Sequence, residues 1–112
     1  MQIDFPLSTR RENFLNFVKE SHGSQLRKYT NEPYWYHCVE VANTYHEITG
    51  EDDYGIEIAL GHDLFEDTKI TPEILTHELV KFCYDSHSIS RIVLGVYELT
   101  DLFTPENFPK LN

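Results

Sequence analysis

The segment Gly61-His62-Asp63-Leu64-Phe65-Glu66-Asp67-Thr68 places an imidazole and three carboxylates in a short, otherwise mostly apolar stretch. A helical repeat of about 3.6 residues would bring His62 close to Glu66. The preceding residues on the same helical face as Asp63 are apolar: Ile56, Ala59 and Leu60. Burying a carboxylate on such a face is costly unless it is paired or binds a metal ion. Asp63 is therefore the first candidate for chemistry.

A second histidine, His37, lies on the apolar face of the helix predicted before this segment. A single histidine in that position is usually a hydrogen-bonded core residue. Two imidazoles on neighbouring helices and a carboxylate on the same inner face instead make a common ligand set for a catalytic divalent ion. We predict that His37, His62 and Asp63 bind such an ion. The alternative is a core histidine beside a helix-end carboxylate.

Two more acids, Glu66 and Asp67, follow the predicted ligands by about one helical turn. Acids near a helix C-terminus oppose the helix dipole, which favours a functional role over a merely solvated helix end. We predict that Glu66 and Asp67 are catalytic and orient or deprotonate a water molecule.

Arg27 and Lys28 are adjacent cations in an acidic chain. In a loop before the second helix they could bind a phosphate, and the Arg27 guanidinium could stack on a base. The alternative is a pair of solubilising surface charges. His22 stands at a predicted helix end and is interpreted as structural.

The sequence pattern predicts an all-α domain of about five helices with no convincing strand. The first helix begins at a capping box formed by Thr9 and Glu12 and ends near Gly23. The second begins at Pro33 and ends at Gly50, and the third runs through the His62-Asp63 segment. Thr71-Pro72 begins the fourth helix and Asp85 the fifth. Residues 104–112 contain two prolines and no periodicity, and are predicted to form a loop.

Length and charge restrict the function further. The 112 residues form a single predicted domain, and the formal charge of −10 argues against a protein that grips a nucleic-acid backbone. Cys38 and Cys83 lie in apolar, helical surroundings, which predicts buried free thiols and a reducing, cytoplasmic location. The N-terminal residues do not resemble a signal peptide, and no apolar run reaches the ~20 residues of a membrane span.

Two blocks of sequence, in this order, resemble a known family. The first is His22-Gly-Ser-Gln-Leu-Arg-Lys-Tyr-Thr-Asn-Glu-Pro-Tyr-Trp-Tyr-His37, followed by Val41-Ala42, and the second is Ala59-Leu-Gly-His-Asp-Leu-Phe-Glu-Asp-Thr68. Together with Val93-Leu-Gly-Val-Tyr-Glu-Leu-Thr100, they resemble the HD hydrolase domain of the RelA/SpoT type, over roughly residues 14 to 112. This group includes bifunctional alarmone enzymes and small stand-alone hydrolases.

The resemblance implies a divalent metal, usually Mn²⁺, and hydrolysis of the 3′-pyrophosphate of (p)ppGpp. Its motifs assign metal binding to His37, His62 and Asp63, and catalysis to Glu66 and Asp67. They assign nucleotide contacts to Arg27 and Lys28, with Arg27 stacking on the base.

In the family, a further helix follows the proline-containing loop and supplies a last aspartate to the metal site. The given sequence ends at Asn112, before that helix. We therefore expect an HD domain that is C-terminally incomplete relative to the family, with a homo-oligomer covering the surface left by the missing helix. Two alternatives stay open. One is an HD phosphohydrolase of another nucleotide, such as a dNTP, an NMP or NADPH. The other is a catalytically impaired module that binds a nucleotide or a partner.

Overall fold

A computed structural model of the protein describes residues 1–102. Within this part the protein is all-helical, with no strand beyond an isolated bridge between Leu26 and Pro33. The predicted all-α bundle is thus confirmed, while the loop predicted over 104–112 lies outside the described residues. The helices are α1 (Thr9–His22), α2 (Trp35–Thr49), α3 (Tyr54–Leu60), α4 (Leu64–Asp67), α5 (Pro72–Lys81) and α6 (Ser86–Leu102).

The predicted third helix is wrong in one respect, because it is interrupted inside the His62-Asp63 segment. Helix α3 ends at Leu60, a turn covers residues 61–63, and the single-turn α4 begins at Leu64. At Gly61, a Cβ atom would lie 3.2 Å from Phe14 and 3.2 Å from Leu64, so the close packing around this turn favours glycine. His62 and Asp63 therefore lie in a turn between two helices.

Two helix starts also differ from the predicted positions by one or two residues. Ser8 caps α1, accepting a hydrogen bond from the backbone N–H of Arg11. Helix α2 begins at Trp35, since Pro33 takes part in the isolated bridge and Tyr34 occupies the cap position. The predicted caps of α5 and α6 are confirmed: Thr71 accepts from the N–H of Ile74, and Asp85 from that of Ser88.

The core lies around α3, which contacts α1, α2 and α6. Burial of apolar side chains from all of these helices supplies the main stabilisation of the fold. The fully buried large residues are Phe14, Leu15, Val18, Cys38, Val39, Ile56, Leu60, Leu64, Leu75, Leu79, Ile92 and Val96. Helix α4, which follows the turn after α3, contacts α1 and α6.

A closed charge network also lies in this interior. Arg11 on α1 and Glu57 on α3 are only 6% and 3% exposed. Arg11 donates to Glu57 Oε1 from Nε at 3.2 Å and from a terminal nitrogen at 3.1 Å, and it also bonds Asp52 at 2.8 Å. The Tyr84 hydroxyl donates to the second carboxylate oxygen of Glu57 at 2.6 Å. Both oxygens of Glu57 are thus hydrogen-bonded.

The two cysteines differ in burial. Cys38 is buried, as predicted, and burial raises the pKa of its thiol to about 12. Cys83 is exposed and has a positive φ of 68°, so the prediction that both thiols are buried is wrong. Among the helices that the structure describes, none has both the length and the apolar character needed to cross a bilayer.

Candidate metal centre

The three predicted ligands come together from two elements. His37 lies in the first turn of α2, whereas His62 and Asp63 lie in the turn between α3 and α4. One ligand atom from each lies within 4.8 Å of the other two. The Nε2 atom of His62 is 2.9 Å from Asp63 Oδ2, and that of His37 is 3.8 Å from the same oxygen. Asp63 Oδ2 is therefore the shared centre of the cluster.

The orientation of His62 is fixed by the end of α3. Its Nδ1 lies 2.7 Å from the carbonyl oxygen of Ala59, which can only accept, so Nδ1 carries the proton and donates. This bond turns Nε2 toward Asp63. Burial alone would lower the pKa of His62, but the hydrogen bond to Asp63 and its negative charge outweigh burial, and the net pKa is raised.

The other two predicted ligands have their pKa values displaced in directions that suit metal binding. Burial and the proximity of His62 lower the pKa of His37, which keeps its imidazole neutral with a free lone pair. Asp63 is 8% exposed, and burial would raise its pKa. Hydrogen bonds from His62 and Tyr34, with the charge of His62, outweigh burial, so the pKa of Asp63 is lowered and the carboxylate is ionised.

Tyr34 is a member of the cluster that the sequence pattern did not identify. Its hydroxyl donates to Asp63 Oδ2 at 2.5 Å. Burial, and then the hydrogen bond and negative charge of Asp63, raise the pKa of this phenol, so that it remains a neutral donor. In sequence Tyr34 reads only as an apolar residue near a helix start. A bond between residues 29 positions apart has no helical periodicity by which it could be recognised.

His22, interpreted from the sequence as structural, lies against the ring of Tyr34. It is 5% exposed, and its ring centre lies 4.9 Å from that of Tyr34. One ring nitrogen is 2.9 Å from Gln25 Oε1 and the other is 3.7 Å from the Cys38 sulfur. Both nitrogens of His22 therefore already have partners within the protein.

A cavity of about 220 Å³ opens onto the cluster, which we call the ligand cavity. Glu66 lines it, and partial burial together with the charges of Asp63 and Asp67 raises the pKa of Glu66. Both Glu66 and Asp67 are exposed, but Asp67 is not among the lining residues, so of the two predicted catalytic acids only Glu66 borders the cavity. The lining residues are Tyr34, His37, His62, Asp63, Glu66 and Leu99.

A second cavity, of about 270 Å³, contains the two predicted substrate-binding cations and is called the cation cavity. Arg27 forms an ion pair with Glu40 at 3.0 Å, and the Lys28 ammonium lies 5.5 Å from the ring centre of Tyr29. Tyr34 and His37 line both cavities, which makes them the wall between the two. The full lining is Arg27, Lys28, Tyr29, Thr30, Tyr34 and His37.

The donor set fits a divalent cation. Two imidazole nitrogens and one ionised carboxylate leave further coordination positions for water or substrate, as catalytic metal sites require. His62 is held by Ala59 and Asp63 by Tyr34, so two of the three candidate ligands have a hydrogen-bonded partner that orients them.

The structure thus brings together His37, His62, Asp63 and Glu66, places Arg27 and Lys28 in an adjoining cavity, and leaves Asp67 outside the lining. No protein-family model, curated protein or solved structure matches this chain.

Proposed function

We propose that the chain is a metal-dependent phosphohydrolase of the HD type that acts on a nucleotide, with the 3′-pyrophosphate of (p)ppGpp as its substrate. One observation carries the proposal: ligand atoms of His37, His62 and Asp63 lie within 4.8 Å of one another at a cavity that Glu66 also lines. The resemblance of the two sequence blocks to RelA/SpoT-type hydrolases supplies the substrate.

His37, His62 and Asp63 would hold the cation, for which we propose Mn²⁺. When bound, such an ion supplies a Lewis acid that stabilises negative charge on a phosphoryl group and makes hydroxide available near neutral pH. The protein contributes the arrangement of its ligands. The Ala59 carbonyl fixes the proton of His62 on Nδ1, which leaves Nε2 for the ion.

Glu66 is the candidate for proton transfer. Partial desolvation and the negative charges of Asp63 and Asp67 raise the pKa of Glu66, which is the direction that improves a general acid–base catalyst. Its position in the ligand cavity places it where a water molecule could enter. Asp67 contributes through its charge on Glu66, although it does not line the cavity.

The cation cavity would receive the nucleotide. Arg27 and Lys28 can bind phosphate oxygens, and Tyr29 offers an aromatic face for a base. Because Tyr34 and His37 separate this cavity from the ligand cavity, a nucleotide that spans the wall would present a phosphate to the metal ligands.

The direct test is hydrolysis of ppGpp by the purified protein with Mn²⁺, measured as release of pyrophosphate. We expect turnover that EDTA abolishes and that added Mn²⁺ restores. The Asp63→Asn variant should be inactive under the same conditions, and the Asp53→Asn variant should be active. Absence of pyrophosphate release from folded, Mn²⁺-loaded protein would contradict the proposed activity.

A second candidate keeps the chemistry and changes the nucleotide. The cation cavity offers charge and an aromatic face, through Arg27, Lys28 and Tyr29, and such groups bind different bases similarly. A substrate panel of dNTPs, NMPs and NADPH, assayed with Mn²⁺, separates this candidate from the first. Faster turnover of any of these than of ppGpp would favour it.

A non-catalytic nucleotide-binding module is the remaining alternative. It predicts nucleotide binding that does not depend on a metal ion, measurable by calorimetry in EDTA. The predicted cytoplasmic location and self-association stay predictions. The buried free thiol of Cys38 suits a reducing compartment, and sedimentation analysis would measure the oligomeric state.

A further inference from the structure

Tyr34 connects the start of α2 to the turn that carries His62 and Asp63. It occupies the cap position of α2 but makes no side-chain capping hydrogen bond. Its hydroxyl instead donates to Asp63 Oδ2 at 2.5 Å. This oxygen is also the one that lies 2.9 Å from His62 Nε2 and 3.8 Å from His37 Nε2. The phenol therefore acts on the atom at the centre of the ligand cluster.

The bond between Tyr34 and Asp63 is compatible with a cation on the same carboxylate. An ionised carboxylate has two oxygens and about four lone-pair sites, so Asp63 can accept from the hydroxyl and still bind a metal ion. The two interactions therefore need not compete.

The bond gains importance when a cation binds. His62 now approaches Asp63 through Nε2 at 2.9 Å, and a cation would take the lone pair of that nitrogen. His62 could then no longer donate a hydrogen bond to Asp63 from Nε2. Among the described side chains, Tyr34 is the hydrogen-bond donor that would still hold the carboxylate.

The ring of Tyr34 is itself fixed on both sides. Its centre lies 4.9 Å from that of His22 and 5.5 Å from that of His37. The backbone N–H of Tyr34 donates to the Gln25 carbonyl at 2.9 Å, and the Gln25 side chain in turn contacts His22. The hydroxyl is therefore presented to Asp63 from a packed and hydrogen-bonded position.

We infer that Tyr34 is a positioning residue that holds the Asp63 carboxylate in its metal-binding orientation, and that the protein needs this hydroxyl for tight binding of a divalent cation. The inference rests on the proposed metal-dependent function. Removing a partner of this kind from a metal ligand typically weakens metal binding by about 10- to 100-fold.

The test compares two variants that each lose one hydroxyl. Tyr34→Phe removes the bond to Asp63 and keeps the packing of the ring. Tyr45→Phe is the matched control, because the Tyr45 hydroxyl donates to Asp53 Oδ1 at 2.8 Å, a carboxylate outside the ligand cluster. Binding of Mn²⁺ alone is measured by the electron paramagnetic resonance signal of the free ion, and the melting temperature of each metal-free variant by circular dichroism.

We expect a Kd for Mn²⁺ about 10-fold higher in Tyr34→Phe than in the wild type, and an unchanged Kd in Tyr45→Phe. If the wild type binds Mn²⁺ and Tyr34→Phe binds it with an equal or lower Kd, the inference is overturned and the proposed function stands. Equal losses in both variants would also overturn it, since they would reflect general destabilisation. A wild-type protein that does not bind Mn²⁺ would overturn the proposed metal dependence and the inference with it.

Discussion

Two buried polar clusters in this domain differ in how completely their groups are paired. In the network around Arg11, both oxygens of Glu57 accept hydrogen bonds, and each nitrogen of the guanidinium donates at least one. In the cluster around Asp63, His37 approaches the carboxylate only to 3.8 Å, and the group faces a cavity of about 220 Å³. In the first arrangement all five guanidinium N–H groups are used, whereas the second presents its carboxylate to open space.

This difference separates buried charges that stabilise the fold from buried charges that can bind a ligand. Both clusters combine cationic or imidazole nitrogens with a carboxylate of similar burial, so residue type alone does not distinguish them. What distinguishes them is unused hydrogen-bonding or ligating capacity directed at open space. We therefore expect changes in the Arg11 network to alter stability, and changes around Asp63 to alter binding.

The largest effect is expected from Arg11→Met. This change leaves Glu57, which is 3% exposed, as a buried charge without its cation, and should lower the free energy of unfolding by about 3–5 kcal/mol. Urea denaturation followed by circular dichroism measures it. The control is Arg10→Met, which removes the same charge from an exposed neighbour packed over the Tyr84 ring, and should cost less than about 1 kcal/mol. Equal losses of unfolding free energy in both variants would show that the buried network around Arg11 stabilises the protein no more than an exposed arginine does.

Asp63→Asn should change the stability of the protein little and weaken Mn²⁺ binding strongly, whereas Arg11→Met should mainly lower stability. The amide oxygen can still accept from Tyr34, and a buried charge is removed, so the free energy of unfolding of the metal-free protein should change by less than about 1.5 kcal/mol. The affinity for Mn²⁺ should fall by at least about 100-fold, because the variant lacks the ionised ligand. Calorimetric titration measures the affinity for Mn²⁺, and urea denaturation measures the free energy of unfolding. A large loss of stability with retained Mn²⁺ binding would assign Asp63 to the structural class.

The smallest effect is expected from the half-exposed pair between Arg27 and Glu40. Its side chains are 29% and 50% exposed, so Glu40→Ala should change stability by less than about 1 kcal/mol. Freed of its partner, Arg27 should bind the proposed nucleotide substrate better, and the KM should fall by roughly 2- to 5-fold, consistent with such a pair. Glu47→Ala, which removes an exposed acid from the same helix, is the control for net charge. Identical KM values for the two variants would show that Glu40 does not restrain Arg27.

The helices of this fold were predictable because their signals are local. Apolar periodicity identified the core-facing residues Ile56 and Leu60, and local capping chemistry identified Thr71 and Asp85. The interruption after Leu60 was not predicted. Gly61 is tolerated within helices, and the packing of Phe14 against it depends on a contact 47 positions away along the chain.

The candidate metal site could also be predicted in part, because some of its sequence signals are local. His37, His62 and Asp63 were identifiable because each is a polar residue in an otherwise largely apolar stretch, and such a mismatch is visible in sequence. Tyr34 shows no such mismatch, since its ring suits an apolar position and only its hydroxyl reaches the carboxylate. Arg11 and Glu57 find each other across 46 positions, a pairing that no local pattern encodes.

The turn at residues 61–63 sets a condition for anyone who would graft this site onto another scaffold. Consecutive residues on an unbroken helix diverge by about 100° around its axis, so adjacent side chains cannot converge on one point. Here His62 and Asp63 are adjacent and yet approach each other to 2.9 Å. A transplanted pair would therefore need the turn between two helices and the glycine at position 61. Copying His62 and Asp63 into a continuous helix would reproduce the sequence of the motif without its geometry.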